Sequence, residues 1–197
     1  VTTIVLTEGA ASQDPTPTPT HTPPPPAPST NLETIPVRIN VGGSQYTDPS
    51  GNVWKADFGA TGGSTDNQAA GRTITGTTMG ALYQDERWGS FSYRIPITKG
   101  TYKVRLHFAE IYNGCATAGC RVFNAQAEGA AWLTNYDIVA KVGANKAVVE
   151  EKTITLNDDA LDLNFTGVTG SAQLTAIEVL NTDTVTPTPT PDPTPTV

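Results

Sequence analysis

The chain has 197 residues, 16 of them proline, and a formal net charge of −7 from 12 Lys and Arg against 19 Asp and Glu. An acidic balance without a basic run excludes phosphate backbones and anionic membrane surfaces as natural partners. No run of 18 apolar residues occurs, which excludes a helical membrane span.

The prolines divide the chain. Eight lie in Pro15–Pro28 and five in Pro187–Pro195, so only Pro36, Pro49 and Pro96 fall between them. Four segments follow: a β-prone stretch (1–14), a Pro/Thr-rich linker (15–30), one domain of about 150 residues (31–183), and a second Pro/Thr-rich linker (184–197). The linkers hold no Lys or Arg, and the domain carries −4 by itself. The chain starts at Val1 without Met or a basic leader and reads as a processed form or a fragment.

Val1–Thr7 (Val-Thr-Thr-Ile-Val-Leu-Thr) is β-prone. A lone strand leaves its own backbone unpaired, so it predicts either the end of a preceding domain or pairing with a neighbouring copy. The alternating Thr-Pro that follows favours extended polyproline II and cannot bury a core. Such tracts in secreted proteins are semi-rigid spacers, often O-glycosylated on Thr.

The domain reads as all-β. Ile35, Val37, Ile39 and Val41 alternate with polar residues, as do Phe91, Tyr93, Ile95 and Ile97, and then Tyr102, Val104, Leu106 and Phe108. A period of two marks strands with one buried face. The turn at Thr98–Thr101 predicts a hairpin between the last two. Further strands are expected at Lys152–Leu156, Leu161–Phe165 and Leu174–Leu180, and one helical turn at Asp137–Lys141. Many short strands with 18 glycines fit an antiparallel β-sandwich.

Cys115 and Cys120 are the two cysteines, set in a Gly- and Ala-rich loop. They read as a local disulfide, which implies an oxidising, extracellular setting; half of a metal site and free thiols are the alternatives. Neither histidine, His21 or His107, is near them in sequence. His107 falls mid-strand beside Lys103 and Arg105 on the outward face, where solvent exposure is expected.

Catalysis finds little support. No nucleophile elbow of the G-x-S-x-G kind occurs. Asp85, Glu86 and Glu110 could supply the paired carboxylates of a glycosidase, but nothing in the sequence sets their separation. Gly59-Ala-Thr-Gly-Gly-Ser reads as a flexible loop and lacks the Gly-Lys-Ser/Thr ending of a phosphate cradle. Asp48, Asp57 or Asp66 could offer oxygens to Ca²⁺, though without EF-hand spacing. The chain is therefore read as non-enzymatic, with no cofactor and no resident metal. Tyr83, Trp88 and Tyr112 lie in polar, Gly-bearing segments. Aromatic rings at loop mouths, next to amides and carboxylates, suit the C–H face and hydroxyls of a pyranose.

Seven segments in order carry a resemblance: Arg38-Ile-Asn-Val-Gly-Gly43, Trp54-Lys-Ala-Asp57, Leu82-Tyr-Gln-Asp-Glu-Arg-Trp88, Phe91-Ser-Tyr-Arg-Ile-Pro96, Gly100-Thr-Tyr-Lys-Val-Arg-Leu-His-Phe-Ala-Glu110, Asn135-Tyr-Asp-Ile-Val139 and Leu161-Asp-Leu-Asn-Phe165. From about Ile35 to Leu180 the chain resembles the malectin and malectin-like domains, carbohydrate-binding β-sandwiches of jelly-roll type. The resemblance implies a secreted or cell-surface module that binds a glucan or cell-wall glycan through loop aromatics. By position, Trp88 and Tyr112 match two of the family's sugar-binding aromatics. Asn113 stands where a further aromatic is usual, Gly63–Thr65 supplies no tyrosine, and Gly170-Ser171 has no acid where the family has an aspartate. Tyr83 and Glu110 complete the candidate contact set. The alternative is a structural subunit of an extracellular filament, sheath or stalk, joined through Val1–Thr7 and the Pro/Thr tails.

Overall fold

The computed structural model describes residues 31–67 and 69–182. Val1–Thr7 and both Pro/Thr linkers, with the expectations attached to them, lie outside the described residues.

Among the described residues there are twelve strands and one short α-helix: β1 (Val37–Asn40), β2 (Tyr46–Thr47), β3 (Val53–Ala56), β4 (Ala60–Asp66), β5 (Glu86–Ile95), β6 (Thr101–Phe108), β7 (Val122–Ala127), β8 (Ala130–Tyr136), α1 (Ile138–Val142), β9 (Val148–Thr155), β10 (Leu161–Thr169), β11 (Ala172–Leu174) and β12 (Ala176–Asn181). They form two sheets. One runs β2-β3-β1-β12-β6-β9, the other β11-β5-β10-β7-β8, with β4 on the free edge of β5. Pairing is antiparallel except between β1 and β3. The expected β-sandwich is what forms.

The period-two residues meet between the sheets. Val37, Ile39, Val104, Leu106, Phe108, Ile177 and Val179 of the first sheet face Phe91, Tyr93, Ile95, Phe123, Leu163 and Phe165 of the second in one buried cluster. These facing residues are apolar on both sheets, so removing them from water dominates the stability.

The predicted hairpin at Thr98–Thr101 does not form. β5 pairs with β4, β10 and β11, whereas β6 pairs with β12 and β9. The turn instead carries the chain from one sheet to the other. The apolar residues of the two strands therefore cover each other between the sheets, while each strand's edges pair within its own sheet. The linker through Asn157–Asp159 makes the same crossing from β9 to β10.

The expected loop at Gly59–Ser64 is strand β4, paired along β5 with a register shift at Gly62/Ser64. Gly63 lies at φ +65°, and a Cβ there would come 2.7 Å from the Trp88 carbonyl oxygen. Only glycine permits that approach, so the Gly pair reports close strand packing.

His107 does point to the outward face, yet it is only 3 % exposed. Residues 69–83 fold over that face, and a second small core forms there from Trp54, Ile74, Leu82, Tyr83, Ala109, Ile111 and Ala176. The Trp54 ring meets the imidazole edge-on, and the Tyr83 hydroxyl lies 2.7 Å from His107 Nδ1. Burial first, and Arg105 second, hold this histidine neutral, its pKa lowered to about 3. Farther along the outward face Arg38, Glu178, Arg105 and Glu151 lie opposite one another on four adjacent strands, and each is ion-paired to its neighbour.

The predicted helical turn is present as α1. The Asp137 side chain caps it by accepting from the Ala140 amide.

Candidate functional site

The loops at one end of the sandwich close around a cleft of about 380 Å³, within the usual range for ligand sites. Trp88 and Tyr112 line it and are 38 % and 47 % exposed, so both rings are open to a ligand. Trp88 comes from β5, held between Ser64 of β4 and Gln173 of β11. Tyr112 follows β6 at the start of a short 3₁₀ turn, Asn113–Cys115.

Cys115 and Cys120 are bridged, with Cα atoms 5.4 Å apart, and the bridge forms part of the wall. No metal-binding group of three or more His, Cys, Asp or Glu exists among the described residues. The bridged loop is fastened twice more. The Gly119 amide donates to Asp137 Oδ2 at 2.6 Å, so the carboxylate that caps α1 also anchors the loop. A Cβ on Gly170 would meet the Cys120 carbonyl oxygen at 2.9 Å, which brings the β10–β11 turn directly against it. Gly170 and Ser171 of that turn line the cleft.

The floor is charged. Glu86, two residues before Trp88 on the same strand, lines the cleft although it is only 2 % exposed. Its position is fixed from behind. Gly42 sits at φ +77°, and a Cβ there would lie 2.3 Å from the Glu86 carbonyl oxygen, so the Gly-Gly pair of the first motif lets the β1–β2 turn lie on the start of β5. Arg121 also lines the cleft. Its Nε is 2.7 Å from Glu110 Oε2 as an ion pair, not as an aligned hydrogen bond. Its Nη1 donates to the Ser171 and Ala172 carbonyls at 3.4 and 3.3 Å. Glu110 is buried behind it, and its Oε1 accepts from the Tyr112 amide at 3.0 Å. Asp66, at the end of β4, completes the acidic side.

Two buried carboxylates therefore share one guanidinium. Burial pushes Glu86 up to about 7, with Arg121 opposing and Glu110 and Asp66 adding to the rise. Burial also raises Glu110, against the pull of Arg121 and the Tyr112 amide. Glu86 Oε2 is buried with no hydrogen-bond partner.

Of the residues expected to touch a sugar, the structure brings Trp88 and Tyr112 together in the cleft. Glu110 lies beneath it and acts through Arg121. Asn113 is exposed and outside the wall. Tyr83 is corrected: its side chain is 1 % exposed and bonded to His107 in the second core, away from the cleft. Its polar neighbours suggested a loop mouth, but Leu82 and Tyr83 form the buried side of a 3₁₀ turn. The offered Ca²⁺ ligands are dispersed. Asp48 accepts from the Ser50 and Asn52 amides and from Trp54 Nε1, and Asp57 accepts from Arg87 and Tyr93. Sequence reasoning missed Arg121 entirely, and it weighed Asp66 only as an offered Ca²⁺ ligand and Glu86 only as a catalytic carboxylate. A larger groove of about 590 Å³ on the outward face of the first sheet includes Arg105, Glu151 and Glu178, whose charges pair with one another.

Two packed sheets with an aromatic-lined cleft among their end loops define a β-sandwich of the malectin-like kind. The malectin domain profile matches residues 35–185, and the chain belongs to that family. The kinesin-like protein KIN-14E of Oryza sativa subsp. japonica is 34% identical over 150 residues, covering 71% of this chain and 14% of that protein. The kinesin-like protein KIN-14R of Arabidopsis thaliana is 34% identical over 93 residues, 46% of this chain and 8% of that one. The chain thus spans a small part of each curated relative. Among solved structures, a Bacteroides uniformis β-glucuronidase superposes with TM-score 0.67 at 23% identity, over 75% of this chain and 18% of the enzyme. The plant receptor-like kinase FER, in complex with the peptide RALF23 and LLG2, gives TM-score 0.64 at 21% identity, over 73% of this chain and 47% of that one. The extracellular domain of ANXUR1 from Arabidopsis thaliana gives 0.63 at 19% identity, over 73% and 47%. These likenesses define the fold.

Proposed function

We propose that the chain supplies a non-catalytic carbohydrate-binding module of a modular extracellular protein, secreted or at the cell surface. The observation that carries this reading is the convergence of two exposed rings, Trp88 and Tyr112, on one cleft. Such rings pack on the apolar face of a pyranose, and the surrounding amides and carboxylates bond its hydroxyls. Glu110 is buried and engaged by Arg121 and the Tyr112 amide, which withdraws it from direct contact with a ligand. The Cys115–Cys120 bridge suits an oxidising compartment. Pro/Thr linkers on both sides are tethers that let a weak module search and add avidity to neighbouring units.

The test is calorimetric titration of the chain against glucan and cell-wall oligosaccharides. The expected Kd is on the order of 10 µM to 1 mM, roughly 4–7 kcal/mol. Binding should be lost in Trp88→Ala. No binding to any glycan, with wild type and Trp88→Ala alike, would remove the reading.

A further inference from the structure

We propose that the cleft is selective by charge: it accepts neutral and amine-bearing pyranoses and rejects uronic acids. The inference rests on the glycan reading above and names the class of sugar. A receptor for a uronate needs a cation free to meet a carboxylate, ideally as a bidentate fork. The one guanidinium that lines this cleft among the described residues is already engaged. Arg121 lies 2.7 Å from Glu110 through Nε, and its Nη1 donates to the Ser171 and Ala172 carbonyls. Glu86 stands beside it with one oxygen buried and unpartnered, so the floor holds two carboxylates for one cation. Asp66 adds a further acid to the lining.

An anionic sugar would bring another like charge against this floor in a partly water-excluded site, where repulsion is least screened. A neutral sugar carries no such cost. An ammonium supplies the charge the floor lacks and can approach Glu86. The glucuronidase fold likeness does not bear on this, because the residues that set the charge are this chain's own.

The groups packed around Glu86 are Arg121 at the start of β7, Glu110 after β6 and Asp66 at the end of β4. Because burial raises Glu86 to about 7, its charge is present at pH 8 and largely absent at pH 5.5. The discrimination should weaken on acidification, while a uronate and a primary amine both stay ionised.

The experiment uses the full chain and one gluco-oligosaccharide in three forms that differ only at C6: hydroxymethyl, aminomethyl and carboxylate. At pH 8 and low salt the carboxylate form should bind at least tenfold more weakly than the neutral form, and the amine form about threefold more tightly. At pH 5.5, and separately in Glu86→Gln at pH 8, the gap between amine and carboxylate forms should shrink at least threefold. In 1 M NaCl it should shrink as well. Equal binding of the neutral and carboxylate forms would overturn the charge selection and leave the glycan reading standing. An amine–carboxylate gap that ignores both pH and Glu86→Gln would overturn the assignment to Glu86. Failure of all three forms to bind would remove both readings together.

Discussion

Glu86→Gln should be stabilising at pH 8, and the gain should vanish as the pH falls. The folded chain holds this carboxyl at about 7 against an ordinary 4.5, so between those values the native state binds more protons than the unfolded one. Stability from this group therefore rises as pH falls through 7 and is complete below 4.5. Above 7 both states are ionised, and burying the charge costs roughly 3 kcal/mol at 1.36 kcal/mol per pH unit. His107 acts in the opposite sense. It is neutral in the fold down to about 3 against an ordinary 6.5, so the unfolded chain takes up a proton below 6.5 and stability falls. From pH 8 to pH 5, Glu86 contributes a gain of about 2.5 kcal/mol and His107 a loss of about 2 kcal/mol. These two contributions nearly offset each other in the native chain, and Glu86→Gln removes the first, so from pH 8 to pH 5 the variant should lose about 2.5 kcal/mol relative to the native chain. Urea unfolding at half-unit pH intervals reads both curves, and their difference cancels the titrating groups that do not interact with Glu86. Parallel curves from pH 8 to pH 5 would refute the buried-carboxylate reading of the cleft floor.

Other expectations follow from the same geometry. Trp88→Ala should weaken glycan binding at least tenfold while costing less stability than the ~3–5 kcal/mol of a fully buried aromatic, because the residue is 38 % exposed; calorimetry and urea melts separate the two effects. Replacing both Cys115 and Cys120 by Ser should cost about 2 kcal/mol, the loop-closure value for so short a loop, and should also loosen the cleft wall, as seen in a lower melting temperature together with a weaker Kd. Gly42→Ala should cost more than about 2 kcal/mol or prevent folding, since its Cβ would sit 2.3 Å from the Glu86 carbonyl oxygen. Gly51→Ala, at φ +84° but with nothing within 4 Å, should cost only about 1 kcal/mol. Equal effects at the two glycines would mean that the Gly42 contact does not hold β5 in place.

The sequence made much of the sandwich legible because its period-two pattern is a local property. Val104, Leu106 and Phe108 mark the buried face of β6 without reference to any partner, and the cleft aromatics Trp88 and Tyr112 stand out by residue type among polar neighbours. What it could not supply was which faces meet. The apparent β5–β6 hairpin became a crossing between sheets because the edges of both strands are taken by distant partners, β4, β10 and β11 for β5 and β9 and β12 for β6, which no local pattern names. Tyr83 looked like a loop aromatic and His107 like a surface residue for the same reason in reverse: the segment that buries them both, residues 69–83, has no period that announces where it will lie. The cleft floor is the strongest case. Glu86, Glu110 and Arg121 come from three separate stretches and are ordinary charged residues in each.

From sequence alone, then, came the strand faces and the two rings that line the cleft, set by side-chain chemistry within a few residues. The tertiary structure alone decided the sheet order, the burial of His107 and Tyr83, and the meeting of two carboxylates with one guanidinium under the cleft. Those depend on long-range packing, where burial changes both the accessibility and the charge of a side chain, and no local pattern records it.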